Sequence, residues 1–118
     1  MLALGNTLDK LADEFLMSVL NRGKLLATQA HCINRDGDLR VIRPFIFVRE
    51  RLLEDFSIQK DLPTRPSKLF TKPPDASNSI LKVQEAINPG VYENIKNALR
   101  PILSSRLVVC SMIKIHLE

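Results

Sequence analysis

The spacing of apolar residues predicts an α-helix near the start of the chain. After Asn6, apolar side chains recur every three or four residues, which places them on one face of a helix. Asn6 is the expected N-cap, Asp9 suits the positive end of the helix, and Gly23 is the expected left-handed residue after its last turn. The apolar residues 2–4 are typical of a buried strand that leads into this helix. The expected core positions of the helix are Leu8, Leu11, Ala12, Phe15, Leu16, Val19 and Leu20.

A hairpin and a second helix are predicted next. Asp36-Gly37 is a hairpin signal between an extended segment, residues 25–34, and a run rich in β-branched and aromatic residues. Pro44 interrupts that run, so the strand is predicted at Leu39 to Arg43. The segment "RERLLEDFSIQK" predicts a short helix that buries Leu52, Leu53 and Phe56.

The second half of the chain predicts a loop and two helices. Four prolines in the 15 residues from 61 to 75 exclude a regular element there. Helices are expected at about 76–87 and 91–103, with Asn88-Pro89-Gly90 between them. This order of elements fits an α/β domain with few strands and several helices. Because so small a sheet would leave apolar faces uncovered, we expect a half-domain at residues 1–103 and a tail at 104–118, strand or helix.

Composition and charge narrow the class of protein. The net charge is +4 and the pI is near 9.3, which is only a weak indication of a nucleic-acid partner. The sequence has no apolar run of membrane-spanning length and no signal-like start, so we expect no membrane association and a cytoplasmic location. Cys32 and Cys110 form no Cys-x-x-Cys, and we expect two buried, inert thiols.

Two blocks of sequence resemble a known family. They are "LALGNTLDKLADEFLMSVLNRGKL" and "GDLRVIRPFIFVRE", and "VQEAINPGVYENIKNALRPI" follows them in the same order. Together they are similar to the C-terminal half of the tRNA 2-thiocytidine biosynthesis family, within the PP-loop ATP pyrophosphatases. The similarity extends over roughly residues 2 to 102.

The resemblance implies a fold, a reaction and a partner. The fold is a partial Rossmann-like half-domain of the adenine nucleotide alpha hydrolase-like kind. Intact family members use ATP and Mg²⁺ to adenylate a cytidine carbonyl oxygen in tRNA, and an iron-sulfur cluster held by cysteines delivers the sulfur. Under this resemblance Gly5 is a cofactor-binding position, Asp9 is a remnant of a paired acidic motif, and tRNA is the partner.

The chain departs from the family pattern at its reactive positions. It contains no Ser-Gly-Gly phosphate loop, and Asn6 and Thr7 stand where the family has paired histidines. Lys10 replaces the second acidic residue, which reverses a charge at a metal position. The segment from Leu62 to Phe70 carries no cysteine where relatives have Cys-x-x-Cys, so no cluster ligand is present there. We therefore expect no cofactor and no metal in this chain.

Three hypotheses follow from the match and its departures. The chain is a truncated, degenerate family member without catalysis, or an RNA-binding or partner-binding module, or a working sulfurtransferase whose missing loop comes from another chain. A homo-oligomer or a full-length partner fits the second and third hypotheses. The expected RNA contacts are Arg40, Arg43, Arg49, Arg65 and Lys68.

Simpler roles remain open for the same residues. Asp9 suits the start of any helix, without a metal. Arg43 can be solvated or paired with Glu50, and a charged, proline-rich loop such as that around Arg65 and Lys68 is usually exposed.

Overall fold

The computed structural model describes residues 1–24, 28–33, 36–64 and 76–103, with the backbone alone for residues 76–79. Three strands and four helices lie in these ranges, so the predicted α/β class is confirmed. None of these helices is long and apolar enough to cross a membrane. The predicted tail at 104–118 lies outside the described residues. In chain order the elements are β1 (Leu2–Ala3), α1 (Leu8–Arg22), β2 (His31–Ile33), β3 (Arg40–Ile42), α2 (Glu50–Gln59), α3 (Ala76–Ile87) and α4 (Val91–Leu103).

The sheet is small and mixed, and β3 is its central strand. β1 runs parallel to β3, and β2 runs antiparallel to it on the other side. Cys32 lies opposite Val41 and both are buried, whereas His31 lies opposite Ile42 on the other face. Since side chains alternate along a strand, Arg40 shares the face of Ile42. His31 and Arg40 are exposed, so this second face is open, and we call it the open sheet face.

The first helix begins one residue later than predicted. The N-cap is Thr7, not Asn6: Thr7 has an extended backbone, and its hydroxyl oxygen accepts the Lys10 N–H at 3.5 Å. The predicted end is confirmed, because Gly23 has φ +61° and its N–H donates to the Val19 carbonyl at 3.1 Å.

The core lies between α1 and the two C-terminal helices. α1 packs against both α3 and α4, and it contributes the first part of its predicted apolar stripe. Leu20, at the end of that stripe, is 58% exposed and does not belong to the core. The buried cluster consists of Leu8, Leu11, Ala12, Ile46, Leu81, Tyr92, Leu99 and Leu103.

The prediction that α2 buries Leu52, Leu53 and Phe56 is wrong. Leu52 is 54% and Phe56 52% exposed, and α2 has no buried residue. The apolar spacing was correct for a helix, but the described part of the chain does not cover that face. The start of α2, rather than an apolar stripe, fixes this helix, as the contacts of Arg49 and Glu50 below make clear.

Two leucines of α1 test this placement of the core. Leu11 is 1% exposed and Leu20 is 58% exposed on the same helix. We expect Leu11→Ala to lower the free energy of unfolding by about 2–5 kcal/mol, because it empties a packed site. Leu20→Ala is the matched control and should cost less than about 1 kcal/mol. Urea unfolding followed by circular dichroism measures both, and equal losses would contradict the assigned core.

Candidate functional site

Asp9 and Arg49 meet at the centre of a charged cluster. The Arg49 Nε donates to both carboxylate oxygens of Asp9, at 3.1 and 3.3 Å. The Arg49 Nη1 donates to Glu85 Oε1 at 2.9 Å, and the guanidinium stacks 3.6 Å from the ring centroid of Tyr92. One side chain therefore joins the starts of α1 and α2 to α3 and α4. We call these four residues the Arg49 cluster.

Asp9 has a second structural role at the start of α2. Its Oδ2 accepts the backbone N–H of Glu50 at 2.7 Å. Arg49, the N-cap of α2, makes no capping hydrogen bond with its own side chain. Because the first N–H groups of a helix have no partner within the helix, Asp9 acts as the cap of α2 from a distant part of the chain.

Burial and charge act against each other in this cluster. Burial disfavours the charged form of Arg49, but the hydrogen bond that Arg49 donates to Glu85 and the charge of Asp9 outweigh it and raise the pKa of Arg49. The hydrogen bond from Arg49 lowers the pKa of Glu85. Burial raises the pKa of Tyr92, and the charge of Asp9 adds to that effect. These shifts favour the charged forms of Arg49 and Glu85 and the neutral form of Tyr92.

The geometry does not fit a magnesium ion at Asp9. One carboxylate oxygen of Asp9 receives the Glu50 N–H, and both receive the Arg49 Nε–H. A guanidinium at this distance also repels a cation. In the described part of the chain, no group of three or more His, Cys, Asp or Glu residues could hold a metal ion. We derive no magnesium-dependent step from this site.

Two N–H groups of the turn between β1 and α1 are already bonded and are not free to hold a phosphate. Leu8 N–H donates to the Val48 carbonyl at 2.9 Å, and Lys10 N–H donates to Thr7. Gly5 is exposed, and a Cβ at this position would meet nothing within 4 Å. The backbone therefore does not require glycine there, and the role of Gly5 in cofactor binding stays a prediction.

An iron-sulfur cluster does not fit the described cysteine. Cys32 is buried, as predicted, and its Sγ lies 3.6 Å from the Arg43 Nη1. Cluster ligation needs several thiolates that converge on one point, and Cys110 lies outside the described residues. The chain contains two cysteines in all.

The five arginine and lysine residues predicted to contact RNA fall into four groups. Arg40 is exposed on the open sheet face. Arg43 is only 5% exposed, and its Nη1 donates to the Gln29 carbonyl at 2.8 Å, so the interpretation of Arg43 as a solvated side chain is wrong. Arg49 belongs to the cluster described above. Arg65 and Lys68 lie outside the described residues, and RNA contact at all five positions stays a prediction.

A cavity lies beside Arg40. It has a volume of about 560 Å³ and is formed by the open sheet face together with the turn after β3. The Arg43 backbone N–H donates to the Ala30 carbonyl at 2.7 Å. This hydrogen bond holds the segment before β2, which forms one wall of the cavity, against the end of β3. We call this cavity the Arg40 cavity. Its lining residues are Ala30, His31, Arg40, Ile42, Arg43, Pro44, Ile46 and Phe47.

Comparison with known proteins identifies the relatives of this chain. It is 33% identical over 109 residues to tRNA-cytidine(32) 2-sulfurtransferase 1 of Francisella philomiragia subsp. philomiragia. It is 32% identical over 109 residues to proteins of the same kind from Francisella tularensis subsp. holarctica and subsp. tularensis. Each match covers 89% of this chain. The chain is a relative of the tRNA-cytidine(32) 2-sulfurtransferases.

The matches confirm the family resemblance that the sequence indicated, but they cover only part of each relative. The chain spans 43% of the length of these sulfurtransferases, a share that is consistent with a match to one half of the protein. No protein-family model and no solved structure matches the chain.

Sequence reasoning missed two members of the Arg49 cluster. Glu85 and Tyr92 lie 36 and 43 positions after Arg49, in helices that the sequence predicted correctly. The sequence pattern that could have indicated them was weak, because it consists only of a carboxylate on α3 and one tyrosine on the apolar face of α4. Both lie in the block that resembles the closing helices of the sulfurtransferase family, which is the sequence feature that points to them.

A double-mutant cycle tests the central ion pair. For Asp9→Ala and Arg49→Ala we expect a coupling free energy of about 1–2 kcal/mol, because both side chains are largely buried and share two hydrogen bonds. The control is the Glu93–Lys96 pair on α4, whose glutamate is 59% exposed and whose coupling should be at most about 0.5 kcal/mol. Chemical denaturation provides both cycles. Similar values for the two pairs would contradict the role given to Asp9.

The lowered pKa of Glu85 predicts a pH dependence of stability. A carboxylate with a lowered pKa in the folded state contributes stability above its unfolded pKa of about 4.3, and loses it as the pH falls through the folded value. We expect Glu85→Gln to be less stable than the wild type at pH 7, and this gap to close as the pH is lowered to about 3. Urea midpoints at several pH values measure it. Glu93→Gln is the control, and a Glu85→Gln gap that widens in acid would contradict the assignment.

Proposed function

We propose that this chain is a degenerate relative of the tRNA-cytidine(32) 2-sulfurtransferases that has no catalysis of its own. One observation carries the proposal. The Asp9 carboxylate, at the position where the family resemblance implies a metal-binding acid, accepts hydrogen bonds from Arg49 and from the Glu50 backbone. A carboxylate committed to a salt bridge and a helix cap is not available to hold the Mg²⁺ that would neutralise pyrophosphate.

Further features support the same proposal. Lys10 places a positive charge at the second acidic position, and the first-turn N–H groups of Leu8 and Lys10 already have partners. The segment from Leu62 to Phe70 contains no cysteine, although the resemblance implies a Cys-x-x-Cys there. The parallel pair of β1 and β3, with α1 between them in sequence, is compatible with part of a Rossmann-like PP-loop domain.

We place the protein in the cytoplasm, where its relatives' substrate is made.

The second candidate function is RNA binding without catalysis. Arg40 favours it, because this side chain is exposed beside a cavity on a face of the sheet that no described element covers. The relatives act on tRNA by name, so tRNA is the RNA to test. Arg43 is less suited to this role because its guanidinium is buried and bonded to Gln29.

Two assays with the 118-residue chain test these functions. With tRNA, ATP and Mg²⁺, we expect no release of AMP or pyrophosphate above the protein-free rate, and no iron-sulfur absorbance in the purified protein. The sulfurtransferase of Francisella philomiragia is the positive control. AMP release that depends on this chain would contradict the first proposal.

For the second candidate, we expect tRNA to bind with an affinity that falls as salt is raised, because arginine contacts release counterions from the phosphates. Fluorescence anisotropy between 50 and 200 mM salt measures the slope. Addition of the full-length relative then tests whether a partner chain restores activity. Thiolation by the mixture at a rate above that of the full-length relative alone would favour the third hypothesis over both.

A further inference from the structure

The Arg40 cavity combines positive charge with flat apolar walls. Arg40 and His31 project from the open sheet face at its rim, and Ile42, Pro44 and Phe47 supply the apolar surface. Of the described residues that line the cavity, none is acidic. A ligand that matches this lining has a negative charge at one end and a flat, weakly polar group at the other.

The size of the cavity selects a small ligand. Its volume of about 560 Å³ lies within the range of roughly 300–1,000 Å³ that small-molecule and cofactor pockets occupy. A nucleotide unit fits that description: the phosphate provides the charge, and the base provides the flat face. Arginine is the preferred side chain for phosphate, because its fork of N–H donors matches phosphate oxygens in pairs.

Phe47 provides a surface on which a base can stack. It is 42% exposed although it belongs to a turn that is well fixed by backbone hydrogen bonds, Val48 N–H to Phe45 O at 2.9 Å and Leu8 N–H to Val48 O at 2.9 Å. Half-exposed aromatic rings on rigid backbone are typical stacking platforms for unpaired bases.

The cavity wall is pre-organised by a buried cation. Arg43 holds the segment before β2 twice, through its backbone N–H to the Ala30 carbonyl and through its Nη1 to the Gln29 carbonyl. This leaves Arg40, three positions earlier and on the opposite face of the extended chain, as the arginine that faces solvent. The two arginines therefore have separate roles, Arg43 in positioning and Arg40 in contact.

We propose that the Arg40 cavity binds one nucleotide unit, with its phosphate at Arg40 and His31 and its base stacked on Phe47. The unit is either a residue of single-stranded RNA or a free nucleotide. The RNA form of this proposal rests on the RNA-binding function proposed above, whereas the site itself does not.

The experiment uses the full chain and four variants. Arg40→Gln and Phe47→Ala change the proposed site. Their controls are Arg22→Gln, which removes the same charge from an exposed position outside the cavity, and Phe45→Ala, since Phe45 is 43% exposed but does not line the cavity. Circular dichroism checks that each variant folds, and the two phenylalanine variants are expected to lose similar stability.

Binding is measured with three probes: cytidine monophosphate, a single-stranded oligocytidine of six residues, and a duplex RNA of similar length. We expect Phe47→Ala to weaken binding of the hexamer about tenfold. We expect Arg40→Gln to weaken it and to reduce the salt slope by about one contact. Phe45→Ala and Arg22→Gln should change the affinity less than about twofold. The duplex should bind without dependence on Phe47, because its bases remain stacked.

The outcomes separate the site from the proposed function. Tighter binding of the hexamer than of the monophosphate assigns the site to RNA, and equal binding assigns it to a free nucleotide. If tRNA fails to bind while the monophosphate binds in an Arg40-dependent manner, the RNA-binding function fails and the site stands. If tRNA and the hexamer bind equally well to Arg40→Gln, Phe47→Ala and the wild type, the site is wrong and the RNA-binding function stands.

Discussion

The contact between Arg49 and Asp9 belongs to a cluster that joins the four described helices. It lies where the starts of α1 and α2 meet, and Arg49 extends the contact to Glu85 on α3 and Tyr92 on α4. The helices of the core pack through leucines, but α2 has no buried residue of its own. The position of α2 depends on the Asp9 cap and on Arg49. Polar contacts, and not the burial of apolar side chains, therefore hold this helix in place.

The hydrogen bonds that Asp9 accepts from Arg49 and Glu50 limit the chemistry that its carboxylate can perform. A carboxylate that serves a metal needs oxygen lone pairs directed at the ion, and those of Asp9 are directed at an N–H of α2 and at a guanidinium. In this chain Asp9 is therefore a structural residue that links α1 to the start of α2. The Lys10 side chain beside it takes no part in these contacts. Lys10 is exposed, which agrees with that interpretation.

The sequence predicted local elements well and long-range partners poorly. The apolar spacing located α1, α3 and α4, and Gly23 marked the end of α1, because these features depend on neighbours in the chain. The burial of Phe56 could not be judged in the same way, since it depends on whether another element covers that face. The Arg49 cluster was missed for the same reason: it joins residues up to 83 positions apart, and no local pattern encodes such a pairing. The family resemblance located its blocks but not their contacts.

Arg40 in β3 and Arg43 just after it show how a short stretch of sequence can carry opposite roles. Arg40 and Arg43 were alike as candidates for RNA contact, since both are basic and lie at a strand. A strand alternates its faces, and the chain leaves the sheet at Pro44, so Arg43 turns inward to the Gln29 carbonyl while Arg40 stays in solvent. A buried guanidinium with backbone partners makes the surrounding backbone more rigid. An exposed guanidinium beside a cavity places a positive charge where a ligand can contact it. Which arginine can meet a phosphate is thus decided by strand geometry and not by composition.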